Sequence, residues 1–174
     1  ASAPSRAATP ATTAPPAAAP RFTAKTERVT AADLPHSWRP GCPVGPGDLR
    51  LLRLAYWDFA GEPRVGEIIV HRDVAADVTA VFRRLFAARF PIRRLALVDE
   101  YGGSDDRSMA ADNTSAFNCR KAVASGPPAW SQHAYGRAID VNPVENPYLF
   151  GGRVLPPEGA AYRDRDDERP GMAV

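Results

Sequence analysis

Two apolar runs, Leu49 to Trp57 and Arg64 to His71, stand either side of the turn-prone Ala60-Gly61-Glu62-Pro63, and this arrangement commits the stretch to a β-hairpin. The hydrophobic period then changes. Asp73 reads as the cap of a helix in which Val74, Val78, Val81 and Leu85 recur at helical spacing, with Phe82 and Phe86 widening the apolar stripe and Pro91 stopping it. Leu95, Ala96, Leu97 and Val98 read as a short buried strand that enters the loop Asp99-Glu100-Tyr101-Gly102-Gly103. A further strand is expected from Ala138 to Asn142, between Gly136 and Pro143. Strand, strand, helix, strand, long loop, strand predicts an α+β domain with helices against a small sheet.

The domain is expected over residues 27–174. Residues 1–26 are almost wholly Ala, Pro, Ser and Thr, which cannot bury enough apolar surface to offset the entropy of ordering, and they read as a disordered linker. A length of 174 residues and 44% hydrophobic content suit one domain with a real core. The 22 basic and 20 acidic side chains nearly cancel, and no basic cluster is interleaved with aromatic residues, so nucleic acid is excluded as the expected partner. No apolar run approaches the roughly 20 residues that span a bilayer, and no signal segment stands at Ala1, so the chain is expected to be soluble and already processed. A monomer is expected. The only two cysteines, Cys42 and Cys119, are too far apart for a CxxC pair and read as one disulfide, with two buried free thiols as the alternative. A bridge implies an oxidising compartment and could stabilise the fold by about 4 kcal/mol.

The chemistry concentrates in Ser131-Gln132-His133-Ala134-Tyr135-Gly136-Arg137-Ala138-Ile139-Asp140. On a strand, Ala138 and Asp140 would share one face and Ile139 the other. His133 precedes a glycine that permits a tight reversal, which can bring the imidazole beside the Asp140 carboxylate. Both groups are good zinc ligands, and a catalytic zinc site needs a third protein ligand plus an open position for water. Spacing alone leaves the blander reading open, in which the histidine is a turn residue and the aspartate a loop cap.

The pattern Ser-x-His-x-x-Gly-x-Ala-x-Asp, followed by Val141-Asn142-Pro143, resembles the signature of the zinc D-alanyl-D-alanine carboxypeptidases and L-alanyl-D-glutamate peptidases, which include VanY-type enzymes and phage endolysins. The resemblance extends upstream through Phe90-Pro91-Ile92, Asp99 to Gly102 and Asp112 to Arg120, from roughly Trp38 onward. It implies a hedgehog/DD-peptidase-like fold, a small antiparallel sheet with flanking helices. It also implies Zn2+ held by His133 and Asp140, with Arg120 contacting the substrate or its developing oxyanion. Ser131 would support the metal ligands by a hydrogen bond, although an ordinary turn serine is the competing reading. The implied partner is the peptidoglycan stem peptide, and the implied setting is secreted, extracytoplasmic and associated with the cell wall.

Members of this family carry a carboxylate three residues before a second histidine, and neither follows Asp140 here. The expectation is therefore a chain truncated relative to the working enzyme, with weak zinc binding and little or no hydrolysis of its own. His71, at the end of the hairpin, competes for the role of third ligand, and the run Arg163 to Arg169 reads as a solvated loop. The alternative function is a non-catalytic wall-binding or signalling module that kept the fold and part of the metal site, as the similar hedgehog domain illustrates.

Overall fold

The computed structural model describes residues 19–123 and 126–173. Its centre is an antiparallel sheet of three strands, β1 (Ala24–Arg28), β2 (Leu49–Trp57) and β3 (Pro63–His71), in that spatial order. β2 and β3 pair from Leu49↔His71 to Trp57↔Pro63, the hairpin expected from the two apolar runs. β1 starts at Ala24, three residues inside the stretch read as linker, because Ala24 to Arg28 pair with Leu54 to Arg50 along the free edge of β2. The earlier part of that linker, residues 1–18, lies outside the described residues.

Both faces of the sheet are covered, which explains why β2 and β3 read as nearly continuous apolar runs rather than alternating ones. On one face Leu52, Leu54, Ile68 and Val70 pack against Val78 and Phe82 of helix α1 (Ala75–Ala87) together with Ile92 and Leu95. On the other, Leu49 and Ile69 pack with Leu34, Phe117 and Cys119. The chain passes through this second layer on its way to the polar cleft described below.

Several local expectations are corrected. Asp73 does not cap α1; a 3₁₀ turn, Arg72–Val74, leads into the helix, and the Asp73 carboxylate pairs with Arg137 at 2.8 Å. Val81 is half exposed, since the buried stripe of α1 runs through Ala75, Val78, Phe82 and Phe86. The strand expected over Leu95 to Val98 shrinks to β4 (Arg94–Leu95), parallel to β5 (Asn113–Thr114). Beyond it the Asn113 side chain replaces the ladder, accepting from Ala96 N and donating to Ala96 O, each at 2.9 Å. Ala138 to Asn142 forms no strand either. It makes one bridge, Ser115↔Asp140, before Asn142 turns left-handed at φ 41°. Between β4 and β5 lies the short helix α2 (Asp105–Ala110), and a hairpin of β6 (Tyr148–Phe150) and β7 (Arg153–Leu155) follows the bridge.

Asn142 sits at the crossing of these segments. Its buried side chain accepts from Arg93 N and donates to Pro91 O and Gly171 O, and its backbone N–H donates to Thr114 Oγ1. Beside it Arg93 bridges two buried carboxylates, Asp112 at 3.3 Å and Glu145 at 3.1 Å. The run read as a solvated loop contributes here too: Arg165 donates to Glu145 O, Asn146 Oδ1 and Ala173 O, binding residues 163–173 to the domain.

Burial, and then the Asp112 carboxylate alongside, push Glu145 up to about 7 against the pull of Arg93. The folded state thus holds a proton that the unfolded state releases near 4.5, so stability falls as pH rises from about 4.5 to about 7 and stays lower above. Glu145→Gln keeps the Arg93 contact without the titration. Its melting temperature should gain a few degrees on the wild type between pH 5 and pH 8. Scanning calorimetry at the two pH values checks this, and a gap that does not change with pH contradicts the assignment.

Candidate active site

Residues 115–121 run beside residues 130–140, joined by the Ser115↔Asp140 and Lys121↔Trp130 bridges and by Asn118 N donating to His133 O. Backbone hydrogen bonds therefore set the positions of the candidate residues. Ser131 begins the 3₁₀ turn Gln132–Tyr135 and its hydroxyl accepts from His133 N at 3.3 Å. The turn ends at Gly136, φ 65°, and the chain then reverses.

Two separate constraints demand glycine at that position. The left-handed conformation disfavours a side chain, and a Cβ there would come within 2.7 Å of His71 N and 3.1 Å of the Val70 carbonyl carbon. Those are backbone atoms of β3, which cannot swing aside. Gly136→Ala is expected to cost about 2–4 kcal/mol, from the conformational penalty plus overpacking. Urea unfolding measures it, and a loss below about 0.5 kcal/mol would contradict this account of the reversal.

The reversal brings His133 Nε2 to 3.3 Å from Asp140 Oδ2. On the far side of the ring, Nδ1 lies 2.7 Å from Ala116 O. A carbonyl can only accept, so Nδ1 carries the hydrogen and Nε2 is the nitrogen presented to the carboxylate. The His133 side chain is 11% exposed. Burial works against the charged ring, yet the Asp140 carboxylate outweighs it and raises His133 above the ordinary histidine value. The two atoms thus compete for a single positive charge, which a proton or a metal ion can supply.

The pair fits zinc in chemistry and in spacing. Bonds of about 2.0–2.1 Å at tetrahedral angles place two ligand atoms about 3.3 Å apart, and the Nε2···Oδ2 separation is 3.3 Å. The orienting bond from Nδ1 to a backbone carbonyl is the support that metal-binding histidines use. Among the described residues, however, no group of three His, Cys, Asp or Glu side chains could hold a metal, so the pair is two-thirds of a catalytic set. His71 does not complete it: its Nδ1 faces Asp73 N and Arg137, and it does not line the cleft. The ring nevertheless lies next to the reversal, because His71 N donates to Gly136 O.

His133 and Asp140 open into a cleft of about 720 Å³. Arg120 enters from the neighbouring segment, 2.8 Å from Asp105 on the first turn of α2. Ala138 and Asp140 both line the cleft while Ile139 packs on the main core, so the alternation expected of a strand persists without a ladder. Lys121 lies 3.6 Å over the Trp130 ring at one edge. The opposite wall is the β6–β7 hairpin, through Tyr148, Arg153 and Leu155, continued by Pro156 to Glu158.

Sequence reasoning missed Asp105 and this hairpin. The hairpin carried a usable signal, Gly151-Gly152 between Tyr148-Leu149-Phe150 and Arg153-Val154-Leu155. Asp105 had only Ser104 before it, a helix-cap pattern that says nothing of the cleft.

Residues 125–172 match the family model of the D-alanyl-D-alanine carboxypeptidases. The matched stretch contains the Ser131 to Asp140 signature and the far wall of the cleft, and it supports a carboxypeptidase-like peptidase. The match does not extend upstream to Trp38. No curated protein and no solved structure matches the chain.

Proposed function

We propose that this domain is a zinc-dependent peptidase that hydrolyses peptide bonds of bacterial peptidoglycan. The observation that carries the reading is the 3.3 Å approach of His133 Nε2 to Asp140 Oδ2, with Nδ1 fixed on Ala116 O, at the wall of a cleft wide enough for a peptide. His133 and Asp140 would hold the metal, and Ser131 holds the turn that presents His133. When bound, zinc lowers the pKa of water and polarises a carbonyl. Arg120 supplies a fixed positive charge for the oxygen that becomes negative as a peptide carbonyl turns tetrahedral. The apolar wall around Tyr148 and Leu155 excludes water from the backbone of a bound peptide. The Cys42–Cys119 disulfide supports an oxidising, extracytoplasmic setting. Among the described residues no helix is long and apolar enough to cross a membrane.

Among the described residues no third ligand joins the pair, so the site binds zinc through two protein donors. Zinc stoichiometry and muropeptide cleavage test the reading. Weak zinc uptake with slow cleavage is the expected outcome, and a protein that takes up no zinc and cleaves no muropeptide sinks the hydrolase. One observation favours a second reading, a wall-binding module without turnover: the incomplete metal set. Binding of muropeptide with no cleavage in the presence of zinc would establish it.

A further inference from the structure

We infer that Asp105 is a positioning residue for Arg120, its half-buried carboxylate gripping the Nε edge of the guanidinium and so presenting the rest of that group to the cleft. The inference rests on the proposed peptidase site and adds a residue to it.

Arg120 and Asp105 are 23% and 20% exposed at their side chains, and Nε stands 2.8 Å from Oδ1. The Nε atom is shielded from solvent and its N–H is not aligned on any acceptor, so the contact is an ion pair rather than a directed hydrogen bond. Among the described residues the Arg120 guanidinium makes one other polar contact, Nη1 donating to Lys121 O at 3.3 Å, and Nη2 has no acceptor. One edge of the guanidinium is therefore held while part of it stays free in the cleft.

Among the described residues the half-buried Asp105 side chain has no second hydrogen-bond or ion-pair partner. Burial pushes its carboxyl up, Arg120 opposes that, and the Asp140 carboxylate adds to it, so Asp105 also lies within the field of the proposed metal ligands. A partly desolvated carboxylate whose main compensation is one arginine is destabilised if that arginine leaves, and the arginine in turn loses its anchor if the carboxylate is neutralised. A long side chain with roughly 2 kcal/mol of rotamer entropy would otherwise sample many positions. Held by Asp105, which α2 and its Ser104 cap fix to the scaffold, it is ordered before a ligand arrives. The pair is neutral overall. The cleft thus gains a directed donor without extra net charge beside Asp140.

The test combines one spectroscopic and one binding measurement on the full chain. The probe is a phosphinate analogue of a D-alanyl-D-alanine dipeptide, an anion that mimics the tetrahedral stage. In the wild type, Arg120 Hε should give a resolved, slowly exchanging NMR signal. Asp105→Asn should speed that exchange and weaken the phosphinate about tenfold, and Asp105→Glu should recover part of both. In an Arg120→Ala background, Asp105→Asn should have no further effect on affinity. An unchanged Hε signal in Asp105→Asn overturns the positioning role. So does an equal affinity loss with Arg120 absent, which would mean that Asp105 touches the ligand itself. If wild type binds no phosphinate while the Hε signal still responds to Asp105→Asn and recovers in Asp105→Glu, the ion pair stands and the peptidase reading fails. Should Asp105→Asn not fold, the Asp105→Glu comparison alone decides the Hε arm.

Discussion

Replacing His133 with Ala is expected to remove measurable zinc binding. Partners that merely orient a ligand are worth 10–100-fold in metal affinity, so removing a ligand from an incomplete set should cost about 100-fold or more. The effect should be large because the site has so few parts: among the described residues His133 Nε2 and Asp140 Oδ2, 3.3 Å apart, are joined by no third His, Cys, Asp or Glu that could hold a metal. Ser131→Ala, which loosens the turn but leaves both donors, should cost less, on the order of tenfold. Competition against a chromophoric chelator measures all three proteins. His133→Asn serves as the control for folding, since its amide can still reach Ala116 O while lacking Nε2. If His133→Ala binds zinc as the wild type does, the metal lies elsewhere and the proposed mechanism goes with it.

Opening the disulfide is the second large effect. Cys42 and Cys119 are bridged, with Cα atoms 5.9 Å apart and a sequence separation of 77. Closing a loop of that length restricts the unfolded chain by about 4 kcal/mol in the chain-entropy account. For a domain of this size that corresponds to a fall in melting temperature of roughly 10 °C. The bond has a local consequence as well. Cys119 N donates to Ser37 O, and the Arg39 guanidinium donates to Cys119 O, so the bridge and these bonds together dock residues 37–42 against the residue preceding Arg120. Cys42→Ser should therefore lower stability and also broaden the signals of Arg120. Thermal melts with and without reductant separate the two, and a shift under about 2 °C would mean that the loop is already constrained in the unfolded state.

The difference between the two is instructive. The His133–Asp140 pair depends on a six-residue span that folds back on itself, whereas the disulfide joins segments that only the completed sheet brings near. Asp105 belongs with the latter. It is fifteen positions from Arg120, on a different element, and reaches it because α2 packs beside β5.

The sequence by itself determined the β2–β3 hairpin and helix α1, because each rests on short-range periodicity; Gly136 permitted His133 to meet Asp140, but spacing left a turn residue and a loop cap open and only the family resemblance favoured the pairing. The sequence allowed only one disulfide pairing, Cys42 with Cys119, since only two cysteines exist, while leaving two free thiols open. Tertiary structure alone decided that Ala116 O would hold the imidazole, that Asp105 would hold Arg120 and that a Tyr148–Leu155 wall would close the cleft. It also reduced two expected strands to a two-residue strand and a single bridge, substituting the side chains of Asn113 and Asn142 for ladder hydrogen bonds. Local patterns record which way a side chain faces. They carry no record of the distant carbonyl or carboxylate it will meet, because that partner is chosen by the packing of separate elements around a shared core.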